Sequence, residues 1–180
     1  GFMTALRHDL EDHGGAVLLD APVLDTRIVP GGRFRIRVGG REPYDITARH
    51  LINSAGLHAH RLARGMEHYD TNLLPTFTLA KGSYFNCQAP PAFSRLIYPV
   101  PVIGGLGVHV TLDLAGQMRF GPDVEWLGHD DPDKVDYRVD AARSEAFYEA
   151  VRRYWPALPD GAIVPAYSGC RPKLSGPDEP

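Results

Sequence analysis

The run Val108-His109-Val110-Thr111, then Ala115-Gly116, then Met118-Arg119-Phe120, decides the fold class. Apolar and polar residues alternate on both sides of a small-residue turn, and a period of two sends successive side chains to opposite faces of a strand. Two such runs joined by a short turn with glycine pair antiparallel. Outward from this hairpin, Leu73 to Phe85, Arg95 to Val102, Gly107 to Leu114, Gln117 to Phe120 and Ile163 to Arg171 also read as strands. Asp140 reads as the cap of a helix whose Ala146, Phe147, Ala150, Val151 and Tyr154 share one face before Pro156 stops it. Residues 69–180 are therefore expected to form an antiparallel or mixed sheet with one packed helix.

Residues 1–68 read differently. Phe2, Met3, Leu6 and Leu10 recur at helical spacing, and Gly14-Gly15 sits where a left-handed cap belongs. Ala16 to Leu19, continued past Pro22 by Val23 to Val29, reads as a bent strand. Phe34 to Val38 and Tyr44 to Ala48 flank Gly39-Gly40 as a hairpin with one wet face. Leu51-Ile52 is expected as a brief buried strand, Asn53-Ser54-Ala55-Gly56 as a tight turn, and Leu57 to Arg64 as a helix. Such a turn aims backbone N–H groups and the helix dipole at an electron-rich group. Close strand–helix packing asks for the same small residues, so both readings stay open here.

The composition narrows the function classes. A formal charge of −3 with no basic stripe gives no reason to expect a nucleic-acid partner. No run approaches the roughly 20 apolar residues of a membrane span. Cys87 and Cys170 lie far apart and form no CxxC pair, which suggests neither a disulfide framework nor a metal site. The sequence opens at Gly1 within a helical pattern and closes on the loop-like 175–180, and both ends read as cuts through a longer protein.

Polar chemistry concentrates in Tyr167-Ser168-Gly169-Cys170-Arg171-Pro172-Lys173. Alternation puts Tyr167, Gly169 and Arg171 on one face, with Gly169 leaving space beside Arg171. A planar guanidinium grips a carboxylate through paired hydrogen bonds, so Arg171 is a candidate anchor for an organic acid. A surface or interdomain salt bridge explains the same spacing. His109 falls with Thr111 on the polar face of its strand and is a candidate acceptor for a hydroxyl proton; a structural histidine is the alternative. Tyr84, in Lys81-Gly82-Ser83-Tyr84-Phe85, and Tyr98, in Leu96-Ile97-Tyr98-Pro99-Val100-Pro101, are candidates to border a pocket and hydrogen-bond an acid, and Lys81 is a candidate to add positive charge near a flavin or substrate; core aromatics with a wet hydroxyl are the alternative. His58, His60 and His129 receive no role.

Six ordered blocks resemble the D-amino-acid-oxidase-type flavoprotein superfamily, and within it the L-2-hydroxyglutarate oxidase/dehydrogenase branch. They are Ile52 to Leu57, Lys81 to Phe85, Leu96 to Pro101, Leu106 to Thr111, Phe120-Gly121-Pro122-Asp123 and Gly169 to Leu174. The resemblance implies an α+β chain: the antiparallel substrate lobe of 69–180 beside an incomplete piece of an FAD-binding α/β domain over 1–68. It implies FAD as cofactor and oxidation of an L-2-hydroxy acid to the 2-oxo acid by hydride transfer. Val23, Ala55, Gly56 and Leu57 match cofactor-approaching positions, and Arg171 matches the family's carboxylate-binding arginine. His109, Tyr98 and Lys173 fall in matching blocks.

Two readings of other classes stand beside this one: an amino-acid oxidase of the same superfamily, and a non-catalytic acid-binding or interaction module. The GxGxxG turn that seats the FAD pyrophosphate is not in this stretch, and Gly104-Gly105-Leu106-Gly107 does not replace it because no βαβ unit surrounds it. The isolated chain is therefore expected to bind FAD weakly or not at all and to be inactive. The electron acceptor, whether oxygen, a quinone or another flavoprotein, depends on a flavin edge that these residues do not encode. A cytoplasmic location, or membrane association as part of a longer protein, is the expectation for the cell.

Overall fold

The computed structural model describes residues 1–101, 107–174 and 176. The chain divides into two compact units, Gly1–Ala55 with Ala59–Leu74, and Gly56–His58 with Pro75–Pro180. Both are built on antiparallel sheets, and the fold is α+β.

The first unit opens with helix α1 (Phe2–Asp12), which buries none of its residues. A three-stranded meander follows: β1 (Val23–Val29), β2 (Arg33–Val38) and β3 (Tyr44–Ala48). Alternation in β2 is obeyed, since Ile36 and Val38 are buried while Arg35 and Arg37 are exposed. Arg35 reaches diagonally to Asp45 on β3, and this ion-paired hydrogen bond holds the Asp45 carboxyl below its usual range. The expected strand over 16–19 is absent: Ala16 to Leu18 stay outside regular structure, and β1 begins only after Pro22. Leu51-Ile52 is likewise not a strand: it pairs with nothing among the described residues, and Ile52 is 85% exposed. Helix α2 (Ala59–Arg64) forms within the predicted helix, after a 3₁₀ turn at Gly56–His58.

The second unit is a five-stranded sheet centred on β4 (Thr78–Cys87). One edge of β4 pairs along nearly its whole length with β8 (Ile163–Lys173), from Thr78↔Lys173 to Cys87↔Ile163. The other edge is shared by β6 (Met118–Gly121) and the short β7 (Glu125–Trp126), with the Pro122 region between them; proline has no N–H to continue a ladder. The hairpin of β5 (His109–Leu112) with β6 turns where the small residues predict. Arg95 to Val100 do not form a strand; Ile97 alone bridges Val110, and Tyr98 to Val100 run on in a segment with two prolines. Val102 and Gly104-Gly105-Leu106 lie outside the described residues, as do Ser175 and 177–180.

One face of this sheet is dry. Phe85, Cys87, Val110, Met118 and Phe120 are buried against Phe147 and Val151 of helix α3 (Ser144–Arg152), with the Phe85 and Phe147 ring centroids 4.5 Å apart. Asp140 accepts a hydrogen bond from the Ala142 N–H as expected of a cap, but it caps a 3₁₀ turn (Ala141–Arg143) that leads into α3. Ala146 is exposed rather than on the packed face. Odd positions of β4 enter the core, so the even positions Ala80, Gly82, Tyr84 and Asn86 belong to the opposite face.

Candidate functional site

That opposite face carries the polar and aromatic residues singled out in the sequence. The β4–β8 ladder sets Ala80 opposite Arg171 and Gly82 opposite Gly169, and Tyr84 stacks on Tyr167 with centroids 4.6 Å apart and planes 18° apart. Together with Pro122 and Asp123 these residues line a recess of about 230 Å³. Two glycines shape its floor. A Cβ on Gly82 would meet the Pro122 ring at 2.7 Å, so only glycine lets that loop approach. At Gly169 a Cβ would meet nothing within 4 Å, which makes the gap beside Arg171 real space.

Cations are sorted by face. Away from the recess, Arg138 pairs with Asp136 at 2.6 Å, and Arg152 pairs with Asp160. Asp123 lines the recess, but its carboxylate is committed to Arg143 at 2.6 Å and to the Ser83 N–H at 2.7 Å. Arg171 is exposed at the rim, and its side chain makes neither a hydrogen bond nor an ion pair among the described residues. The salt-bridge alternative for this arginine therefore finds no partner within its own unit.

His109 belongs to the same face through β5. It pairs with Gly121, and a Cβ on Gly121, whose φ is +137°, would meet the Tyr84 ring at 2.7 Å. With no side chain at 121, the Tyr84 ring covers the row that separates it from His109. His109 is itself buried, and Tyr98, largely exposed, packs edge-on against its ring at 4.6 Å. Burial, with the nearby Tyr167, pushes the Tyr84 hydroxyl above its ordinary value, while Arg171 and Arg119 pull it the other way.

The remaining candidates scatter. Lys173 is half-buried and lies over the Trp126 ring at 5.9 Å, at the end of the recess. Lys81 is 7% exposed and donates from Nζ to the Arg138 carbonyl at 2.6 Å; as an odd position of β4 it alternates with Ala80 and Gly82 and does not share their face. Val23 and Ala55 lie exposed in the first unit, and in the second Gly56 is exposed and Leu57 half-buried. Gly56 has a φ of +57° and open space at its Cβ, and the Ala55 N–H is already bonded to Asn53 Oδ1 at 3.3 Å. This uncovered small-residue backbone fits the close approach of a flat cofactor ring, though it is not a phosphate cradle.

Arg119 and Tyr167 were not assigned a site role from sequence. The signal was present, because Arg119 sits between the buried Met118 and Phe120 and must face away from the core. Among the described residues there is no cluster of metal ligands, and no helix is long and apolar enough to cross a membrane.

Comparison with known proteins adds the family context. The profile described as FAD dependent oxidoreductase (DAO) matches residues 1–180. The chain is 50% identical over 137 residues, 72% of its length, to the mitochondrial L-2-hydroxyglutarate dehydrogenase of Arabidopsis thaliana, covering 28% of that protein. It is 24% identical over 179 residues, 98% of its length, to a glycerol 3-phosphate dehydrogenase of Caloramator mitchellensis, covering 35% of it. The chain thus spans about a third of the length of these curated relatives. Among solved structures, the FAD-bound L-alpha-glycerophosphate oxidase of Mycoplasma pneumoniae matches with a TM-score of 0.74 at 18% identity, over 94% of this chain and 43% of that one. The glycine oxidase of Geobacillus kaustophilus matches with a TM-score of 0.65 at 17% identity, over 94% of this chain and 41% of that one. At these identities the structures speak for the fold.

Proposed function

Because this chain belongs to the DAO family of FAD-dependent oxidoreductases, we propose that its sheet unit is the acid-binding part of an enzyme that oxidises L-2-hydroxyglutarate to the 2-oxo acid. The observation that carries this reading is Arg171: a guanidinium without an acid partner in its own unit, at the rim of a recess, with empty space over Gly169. A desolvated carboxylate held by a bidentate arginine fixes a substrate in position and orientation. The name of the Arabidopsis relative supports the choice of acid.

In this reading Arg171 holds the carboxylate next to the reacting carbon, and Tyr84, Tyr98 and Lys173 border the bound acid and exclude water from it. His109 takes the hydroxyl proton as the alcohol becomes a ketone, a task suited to an imidazole. Lys81, held on the Arg138 carbonyl, contributes positive charge through the strand rather than by contact. Val23, Ala55, Gly56 and Leu57 would lie against FAD, whose contribution when bound is to accept the hydride. Residues 1–68 then serve the cofactor and 69–180 the substrate. Either a cytoplasmic location or membrane association is compatible with this role.

The test is turnover of L-2-hydroxyglutarate by the FAD-loaded protein, assayed beside glycerol 3-phosphate, glycine, sarcosine and D-amino acids with an artificial electron acceptor. Selective oxidation of the hydroxy acid is expected. Preference for an amine or for glycerol 3-phosphate would refute the assignment.

A further inference from the structure

The face that carries Arg171 holds a second guanidinium without an acid partner. Arg119 rises from β6, half-buried; its Nε donates to Asn86 Oδ1 at 2.9 Å, and its central carbon lies 5.0 Å from the centroid of the Tyr167 ring. No carboxylate pairs with it among the described residues. These two contacts fix the fork: Nε and one planar face are occupied, and the two terminal nitrogens are left as an edge of the geometry that matches a carboxylate. Tyr167 is in turn braced by its stack on Tyr84, so the guanidinium rests on a rigid aromatic pair.

The two arginines stand on the same face of the sheet, on the two strands that flank β4. Arg119 pairs with Asn86 and Arg171 with Ala80, six residues apart on β4, or about 20 Å along the strand. Arg119 shortens that span by leaning over Tyr167, and the rows between hold the stacked Tyr84–Tyr167 pair and then Gly82 with Gly169, which add no side chain. The Tyr84 hydroxyl lies within electrostatic reach of both guanidiniums. Among the described residues, the acid that lines the recess, Asp123, is paired with Arg143, so this face presents Arg119, Arg171 and Lys173 without an uncommitted carboxylate in the recess.

We propose that Arg119 is a specificity-determining residue that holds the distal carboxylate of a dicarboxylic 2-hydroxy acid whose reacting end is held at Arg171. The inference rests on the acid-binding reading of Arg171 and goes beyond it by giving the second charge of the substrate its own partner. The corresponding acid that lacks the distal carboxylate leaves Arg119 to water and loses nothing by its removal. A dicarboxylic acid loses charge-assisted hydrogen bonds.

The experiment compares wild type, Arg119→Met and Arg119→Lys in the FAD-loaded protein. Kinetics are measured on L-2-hydroxyglutarate and L-2-hydroxybutyrate, and calorimetric binding on the unreactive pair glutarate and butyrate. Expected for Arg119→Met is a rise in KM for L-2-hydroxyglutarate of about 10- to 100-fold, from the loss of one charged hydrogen-bonding site, with kcat/KM on L-2-hydroxybutyrate unchanged. Glutarate should lose its advantage over butyrate, and Arg119→Lys should restore part of it. Equal loss on both acids, or a glutarate preference that survives in Arg119→Met, overturns the role of Arg119. Failure of the underlying reading looks different: wild type then neither binds nor oxidises either acid, and both proposals fall.

Discussion

Replacing Arg171 by Met should separate binding from stability. The side chain is exposed and has no hydrogen-bond or ion-pair partner among the described residues, so its removal breaks no internal interaction. Surface changes of that kind stay within about 0.5 kcal/mol, which for a unit of this size is a shift of at most about 2 °C in Tm. A bound acid would lose two charge-assisted hydrogen bonds, each contributing about 1.5–3 kcal/mol. The sum, about 3–6 kcal/mol, corresponds to a fall in kcat/KM of about 10²- to 10⁴-fold. The assay is steady-state turnover of L-2-hydroxyglutarate by the FAD-loaded variant beside wild type, with thermal unfolding of both. Activity within threefold of wild type would refute the anchoring role, and a fall in Tm of many degrees would show that Arg171 holds the fold instead.

Gly169→Leu fills the space beside Arg171 without a backbone clash, because a Cβ there meets nothing within 4 Å; folding should persist by circular dichroism while glutarate binding is lost, and unchanged binding would place the acid elsewhere. Phe120→Ala empties a fully buried position between the sheet and α3 and should cost about 3–5 kcal/mol in urea unfolding. Tyr154 donates its hydroxyl to the Val108 carbonyl at 3.0 Å, and burial pushes its pKa up to about 12. The folded chain therefore keeps the neutral phenol, whose contribution is complete below about pH 10 and is lost as pH climbs through about 12. Urea midpoints of wild type and Tyr154→Phe should differ less at pH 11.5 than at pH 9, and a constant difference would contradict that assignment. The isolated 180-residue chain, titrated with FAD by flavin fluorescence, should show no submicromolar binding.

The parts of the fold that were legible in the sequence are those where a local period had a partner close by. The β5–β6 hairpin and the β2–β3 hairpin each carry both halves of their ladder within a few residues, so alternation and turn chemistry agree. Phe147 and Val151 were legible for the same reason, since a helical face needs no distant information to be identified. Leu51-Ile52 failed on the opposite ground: two apolar residues make a strand only where another strand receives them, and a short run carries no record of that. Arg95 to Val100 failed because Pro99 removes an N–H that a ladder needs, and β7 was missed because two residues hold no period.

At the site the same distinction separates geometry from charge. Alternation alone puts Tyr167, Gly169 and Arg171 on one face, and it could also have assigned Arg119 to that face, between two core residues, and Lys81 to the other. Whether an arginine is paired cannot be read from spacing, because its partner is chosen by the register of strands far apart in sequence. Asp123 illustrates this. Four residues from Arg119 in the chain, it is claimed by Arg143 and by the Ser83 N–H, and that commitment is what leaves the recess without an uncommitted carboxylate. The acid binding proposed for this face thus depends less on having arginines than on the removal of their nearest competitor. It follows that Arg143, although remote from any substrate contact, should govern acid binding: in Arg143→Met, Asp123 is released to pair across the recess, and glutarate affinity should fall even with Arg119 and Arg171 intact. Restoration of that affinity by the further change Asp123→Asn would identify the freed carboxylate as the cause, while a double variant as weak as the single one would show that Arg143 acts through the fold alone.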